Sequence, residues 1–531
     1  MTTVAPLTAT ASGADATAPA WRLGHILDGA AETAPSSTAL IVGAERRRIS
    51  YAELAELVVT QCRLLKCSGL RRGDVVALQS TNSIEFVVGL LAAARAGVVV
   101  APLDPALPTA ERRTRIEMTG ARVTLLGGPE HDGDASGGSH PTWVLESNSA
   151  SAAAPSALRL AADHSARAVT EPIPGLTDND ALIMFTSGTT GKPKMVPWTN
   201  DNIAASIAGI ISAYQLAPGD ATVAVMPLFH GHGLVSSLLA TLASGGRVLL
   251  PARGRFSATT FWDDVDTVHA TWYTAAPTIH QILLGRTGTG QPRPRLRFVR
   301  SCSAPLSRDT LQRIETTFEA PVLTAYGMTE ATHQASTVLP LDDEAARLNT
   351  VGTPTGSSVR IVDDNGKTCP IGVTGEIWLS GPTVVRGYLN NSAATADNFA
   401  DGWLRTGDLG VVDRHGTLSV RGRIKELINR GGEKISPEHV EDVLTSHPEI
   451  AQAVVFGIPD ELYGERVAAV VVTRDGCRPD LITYSRDRLA GFEIPEQIAF
   501  ADELPLTAKG SVDRCKVAEQ FGAAGQFSQM S

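Results

Sequence analysis

Residues 185–194 read FTSGTTGKPK, which packs hydroxyls, glycines and lysines into one short connection. In such a turn the backbone N–H groups face a common concavity, and nearby hydroxyls and a lysine complete a cradle for phosphate oxygens. Thr186, Ser187, Gly188, Thr189, Thr190, Gly191 and Lys194 supply those parts. The spacing is not that of the P-loop, G-x-x-x-x-G-K-[ST], because Gly188 and Gly191 stand too close and Pro193 follows Lys192. A merely flexible turn is the bland alternative. The strand ALIMF before the string and VPWTN after it argue against that alternative.

Three further stretches fit the same chemistry. AYGMTE at 325–330 combines an aromatic face, a glycine turn, a hydroxyl and a carboxylate, which suits an adenine, a phosphate and a magnesium ion. WLRTGD at 403–408 ends in a carboxylate suited to two ribose hydroxyls, and GRIKELINRGGEKISP at 422–437 joins basic residues to a hinge-like turn and a glycine pair. A second group is polar where a plain hydrocarbon pocket would be apolar. MPLFHGHGL, RSCSAPL and MTEATHQAS carry His230, His232, Ser301, Ser303, Thr332 and His333. Imidazoles and hydroxyls there suit a substrate with a second polar group, since a buried unpaired carboxylate costs several kcal/mol. A protonated histidine beside a serine hydroxyl would meet that need. The alternative for His333 is a helix cap or a surface position.

These residues need elements to hold them. From Ile49 the chain alternates strand and helix: a Ser50/Glu53 capping box, the strand DVVALQS, the amphipathic helix SIEFVVGLLAAARAG closed by Gly97, and the strand VVVAP. TVAVMP and RVLLP flank another helix, as do ATWYT and RFVRSCS, so the expected fold is α/β with parallel sheets covered by helices. Residues 128–170 are rich in Gly, Ser and Ala and read as a surface excursion with little order. From about 351 to 423 the pattern turns β-rich. The helix SPEHVEDVLTSH, with Ser436 as cap and Pro437 at its first position, then opens a small α+β domain containing the strands AVVFGI and VAAVVV. The expected division is a disordered tail at 1–20, a large domain at 21–424 and a small mobile domain at 425–531.

A chain of 531 residues exceeds what one core supports, in keeping with two domains. Its net charge of −10 argues against nucleic acid or an anionic membrane as a general partner. The six cysteines show no zinc spacing and read as free thiols in a reducing, cytoplasmic compartment. No uninterrupted apolar run reaches the length of a membrane span.

Taken with their order, the four motifs resemble those of the adenylate-forming superfamily: acyl-CoA synthetases, luciferase-like enzymes and peptide synthetase adenylation domains. The resemblance runs from about residue 22 to 520. It implies a large N-terminal domain and a small one that rotates between two half-reactions, with ATP, Mg2+ and coenzyme A as cosubstrates. By resemblance, Thr186, Lys194 and the loop between them orient the β- and γ-phosphates. Tyr326 stacks on adenine, with Ser303, Ala304, Pro305, Gly327 and Met328 around the nucleotide. Thr329 contacts phosphate, Glu330 holds magnesium, Asp408 binds ribose and Arg423 lies near it. Lys425 falls at the hinge, and Gly431 and Gly432 line the pantetheine channel.

The family also has a catalytic lysine near its C-terminus. Here the stretch is PLTAKGSVDR, 505–514, and Ser511 stands where that lysine is expected. Lys509 is the nearest candidate, because two residues of extended chain span roughly 6.5 Å and keep the side-chain direction. PLFHGHGL, the stretch leading to PTIHQILL, and RSCSAPL are most similar to oxalate–CoA ligases of plants and fungi. That implies oxalate as the small carboxylic acid, with Ser303, His333 and His230 or His232 holding its distal carboxylate. Fatty-acyl ligases, enzymes that load a carrier protein, and a nucleotide sensor without turnover share the ATP motifs and are the alternatives.

Overall fold

The computed structural model describes residues 22–128, 140–147, 158–162, 173–186, 193–286, 295–343, 347–506 and 512–522. The tail at 1–20, the loop residues Ser187, Gly188, Thr189, Thr190 and Gly191, and both Lys509 and Ser511 lie outside the described residues.

Five sheets organise the described residues. The largest has seven strands in the order Leu158–Ala162, Thr142–Ser147, Val123–Gly127, Val75–Ser80, Val99–Leu103, Asp180–Thr186 and Lys194–Thr199. Its inner pairings are parallel and its two edge pairings antiparallel. The three central strands are buried along their whole length, as expected where helices cover both faces. A second sheet runs Trp272–Ala275, Phe298–Ser301, Val322–Tyr326, Ser336–Thr337 and Thr353–Pro354. A third joins Ala221–Val223, Arg247–Leu249, Thr38–Val42 and Arg47–Ser50. The β-rich stretch forms a fourth sheet, chiefly antiparallel, that includes Trp403–Val412 and Leu418–Arg423. The fifth belongs to the C-terminal region, where the hairpin Ile450–Asp460 and Gly464–Thr473 packs under the helix Pro437–Thr445 on its own apolar core. The chain is therefore α/β, with a large N-terminal part and a small C-terminal one. Across that division Gln452 Nε2 donates to Gln281 at 2.7 Å and Arg474 pairs with Asp309 at 2.7 Å.

Local sequence signals explain much of this. Ser50 and Glu53 form the capping box, Gly97 takes φ 79° beyond its helix, and Ser436 caps the helix that Pro437 begins. All six cysteines are free thiols. No described helix is long and apolar enough to cross a membrane.

Three expectations need correction. The 128–170 stretch is not simply a loosely ordered excursion: Thr142–Ser147 and Leu158–Ala162 extend the large sheet, and Trp143 is fully buried. Glycine, serine and alanine around them masked a short strand signal. The helix Ile84–Arg95 is not amphipathic, because every residue from Ile84 to Ala93 is buried between sheet and helices. The helix between TVAVMP and RVLLP is not a plain α-helix, since His232–Leu239 winds as a π-helix before one α-helical turn. Such widened turns concentrate at functional sites.

Candidate active site

Two groups of side chains meet at the C-terminal ends of the parallel strands, where α/β sheets generally bind ligands. The first gathers around Thr186 and Lys194. Thr186 ends one strand and Lys194 begins the next, paired in register so that both flank the loop mouth. The Lys194 ammonium sits 4.5 Å from the ring centre of Tyr388. The Tyr388 hydroxyl donates to Glu330 Oε1 at 2.8 Å, and Glu330 is buried. Glu330 occupies a short 3-10 turn, Thr329–Ala331, whose position Trp198 fixes by donating its indole N–H to the Thr329 carbonyl at 2.8 Å. Lys194 and Glu330, far apart in sequence, are thus brought together.

Further along, the Tyr326 hydroxyl donates to Asp408 Oδ2 at 2.6 Å. Asp408 and Arg423 are register partners on adjacent strands, with Arg423 Nε 3.1 Å from Asp408 Oδ1. Burial raises the Asp408 carboxyl above its usual range, and the Arg423 guanidinium opposes that. A carboxylate has about four lone-pair positions, so these two contacts leave room for a vicinal diol. Lys425 lies in the turn Ile424–Glu426 just beyond this strand. Gly431 and Gly432, at φ 61° and 97°, make the tight turn between Ile428–Arg430 and Glu433–Ile435.

The second group is buried behind the first. Gly327 links them: a side chain there would run into the His333 carbonyl, its Cβ only 1.5 Å away. His232 Nδ1 is 2.8 Å from Ser303 Oγ, and its Nε2 is 2.6 Å from Thr274 Oγ1. The His232 and His333 rings stack at 5.2 Å and 20°. Ser303, Thr332 and His333 all take positive φ, at 78°, 48° and 81°, a costly choice for residues with side chains and one that clusters at functional sites. His333 is buried, neither a surface residue nor a helix cap. His230, half-buried, lies beside His232 and helps to depress its pKa, but the bond to Ser303 belongs to His232. Ala304 and Pro305 continue from Ser303, at the exit of the strand Phe298–Ser301. Met328, between Gly327 and Thr329, is half-buried.

The centre of this group is a residue that the motif reading passed over. Arg300 is fully buried, yet among the described residues it forms no ion pair with a carboxylate. Its guanidinium donates to Tyr214 Oη at 2.8 Å, Thr274 Oγ1 at 3.0 Å, Gln334 Oε1 at 2.9 Å and His333 Nε2 at 3.2 Å. Tyr214 is itself stacked on Phe298 at 5.1 Å. Because His333 accepts through Nε2, its ring proton belongs on Nδ1. Burial, and then the nearby guanidinium, hold both His232 and His333 well below the ordinary imidazole pKa. The expected protonated histidine is therefore corrected: His333 accepts from Arg300, His232 is held toward its uncharged form, and the positive charge is carried by Arg300. An arginine directly after the apolar pair Phe298 and Val299, inside a strand, was the available signal. Nothing in the local sequence marked Tyr388, Tyr214 or Gln334, which act through tertiary contacts.

Known proteins resemble this chain along most of its length. The family model described as AMP-binding enzyme matches residues 27–389, and its C-terminal domain model matches 439–511. The oxalate–CoA ligase of Arabidopsis thaliana is 41% identical over 513 residues, covering 94% of this chain and 98% of that protein. The ATP-bound structure of MatB from Rhodopseudomonas palustris superposes with a TM-score of 0.80 at 28% identity, over 94% of this chain and 99% of that one. The o-succinylbenzoate CoA synthetase MenE of Bacillus subtilis, in complex with ATP and magnesium, gives 0.77 at 29% identity, over 93% and 98%. The chain therefore belongs to the AMP-binding enzyme family.

Proposed function

We propose that this chain, an AMP-forming acid–CoA ligase that uses ATP, Mg2+ and coenzyme A, takes oxalate as its acid. The reaction is oxalate + ATP + CoA to oxalyl-CoA + AMP + pyrophosphate. One carboxylate of the acid attacks the α-phosphorus, pyrophosphate leaves, and the CoA thiolate then displaces AMP from the acyl-adenylate. The observation that carries the choice of acid is Arg300, a fully buried guanidinium held by neutral acceptors without a carboxylate among the described residues. Burying one charge is costly unless an opposite charge joins it. The second carboxylate of oxalate supplies that charge, with His333 Nδ1–H and the Ser303 hydroxyl as its donors. A monocarboxylate with a hydrocarbon tail would leave the guanidinium uncompensated.

At the other end, Lys194 and the loop before it neutralise the phosphates as two anions approach each other. Glu330 fits a magnesium ion: it is buried, one oxygen is held by Tyr388 and the other has no hydrogen bond among the described residues, so it is poised as an oxygen donor. When bound there, Mg2+ would offset charge on the phosphoryl oxygens. Tyr326 supplies a face for adenine, with Ser303, Ala304, Pro305, Gly327 and Met328 around it, Thr329 on phosphate, and Asp408 with Arg423 on the ribose. We place the hinge at Lys425, the domain boundary at 424/425, the pantetheine channel along Gly431 and Gly432, and the adenylation lysine at Lys509. The free cysteines support a reducing, cytoplasmic setting.

The test is pyrophosphate release by the purified protein with ATP, Mg2+ and CoA, comparing oxalate, malonate, acetate and palmitate. Turnover confined to oxalate supports the reading, and preference for palmitate rejects the polar pocket as the determinant. ATP binding without turnover on any acid favours a carrier-protein acceptor or a sensor. An unchanged adenylation rate in Lys509→Ala removes Lys509 from the scheme.

A further inference from the structure

Lys194 and Glu330 pose an electrostatic problem. A flexible ammonium and a buried carboxylate in one small site attract each other strongly, and a direct ion pair would cancel both charges. The ammonium would then be lost to phosphate and the carboxylate to metal. Among the described residues the two form no ion pair, and the side chain between them is Tyr388.

Tyr388 is held there unusually firmly. It is buried, its ring meets Phe399 edge-on at 5.8 Å and 75°, and its backbone N–H donates to Thr395 Oγ1 at 2.9 Å. The segment around it is laced to the two residues in question. Leu389 N–H donates at 2.9 Å to the carbonyl of Met195, the neighbour of Lys194. Val385 N–H donates at 2.9 Å to the carbonyl of Glu330 itself. Arg386 grips Asp180, on the strand that leads into the phosphate loop, through two 2.7 Å contacts. The stretch 385–389 therefore fixes both walls of the gap as well as what fills it.

We propose that Tyr388 is a positioning residue, an aromatic spacer that keeps Lys194 and Glu330 apart so that each charge stays available to magnesium and ATP. Its ring face gives the ammonium a neutral partner, and its hydroxyl gives the carboxylate a donor while leaving the second oxygen open. The role rests on the reading of Lys194 and Glu330 as the phosphate and metal groups, and it is independent of which acid is activated.

The experiment is calorimetric titration of the full chain with ATP, with and without Mg2+, in the absence of acid and CoA. Tyr388→Phe keeps the ring and loses the hydroxyl. It should weaken binding about tenfold in Mg2+, the scale of a hydrogen bond to a charged group, and leave Mg2+-free binding unchanged. Tyr388→Leu removes the ring, lets Lys194 collapse onto Glu330, and should weaken binding in both conditions. Adding Glu330→Gln to Tyr388→Leu should then restore the Mg2+-free affinity, because Lys194 is released. That recovery separates a spacer from a packing residue, and melting temperatures of each variant check the fold. Wild-type affinity in both single variants overturns the proposal. So does a loss in Tyr388→Leu that Glu330→Gln fails to recover. A wild-type protein that binds no ATP even with Mg2+ overturns the nucleotide reading and the spacer with it.

Discussion

The proposed nucleotide end and the proposed acid end of the site handle charge in opposite ways. At the nucleotide end, Lys194 and Glu330 lie on either side of Tyr388, and Asp408 is shared by Tyr326 and Arg423. Charges of both signs are present, so a ligand that carries phosphates, a metal and a diol finds complements for each. At the acid end, among the described residues, one sign prevails: Arg300 with the rings of His232 and His333 held toward their uncharged forms, and hydroxyls and an amide around them. The first arrangement is nearly balanced before a ligand arrives, and the second is not. That imbalance is affordable only if an anion regularly fills it, which is why the acid end is informative about substrate and the nucleotide end about superfamily.

The comparison can be broken most severely at Arg300. Arg300→Met should lower kcat/KM for oxalate by about a thousandfold, the roughly 4 kcal/mol expected when one partner of a buried charge pair is removed. Turnover of acetate, measured beside it, should change far less. Glu330→Gln should lower kcat by about a hundredfold at limiting Mg2+, and excess Mg2+ should recover part of the loss. His333→Ala should raise KM for oxalate about tenfold while KM for ATP stays constant, because the imidazole donates to the acid alone. Steady-state kinetics with each substrate varied in turn checks all three.

A pH series sharpens the contrast between the two parts of the chain. His232 and His333 are held well below the imidazole range, and burial lowers His280 to about 3. The unfolded chain takes up protons near pH 6.5 that these sites refuse. Stability present above that pH is therefore lost as pH falls through it, by up to about 1.4 kcal/mol per unit for each histidine. In the C-terminal region the sign reverses. Burial raises Glu441 to about 7 and Asp442 to about 6, so the folded form keeps protons that the unfolded one has released. That contribution is fully present at low pH and is lost as pH rises toward 7. Hydrogen exchange followed segment by segment from pH 7.5 to 5 should show the Arg300 region weakening while the Pro437–Thr445 helix strengthens. The smallest effect is expected at the domain contact. Arg474 and Asp309 are both partly exposed, so Asp309→Asn should change either half-reaction by no more than about fivefold.

How far the sequence carried the account differs between the same two ends. Motifs held in short contiguous strings were legible: the strand before the 185–194 string, the glycine turn before Glu330, the β-rich stretch that carries Asp408 and Arg423. Their chemistry depends on local spacing, and spacing is what a sequence displays. The acid end was legible only in part. Ser303, His232 and His333 were picked out as polar residues in a pocket expected to be apolar, and the structure brings them together. Their protonation was misjudged because it depends on Arg300, which reaches them only once Phe298–Ser301 lies beside Trp272–Ala275 in one sheet. Tyr388 escaped notice for the same reason, standing 194 residues beyond Lys194 in the chain but against it in space. In the fold, periodicity found the buried strands. It failed for Ile84–Arg95, where apolar residues surround the helix, and for Thr142–Ser147, where flanking small residues diluted the signal.

The central claim is that the buried, one-signed pocket selects a small dicarboxylate. The most direct measurement is a competition: wild-type protein, Mg2+, CoA and limiting ATP with equimolar oxalate, malonate, acetate and palmitate, and the CoA thioesters quantified by mass spectrometry. Oxalyl-CoA as the dominant product is the predicted result. A mixture led by acetyl-CoA or palmitoyl-CoA would contradict it, and would mean that Arg300 serves the fold rather than the substrate.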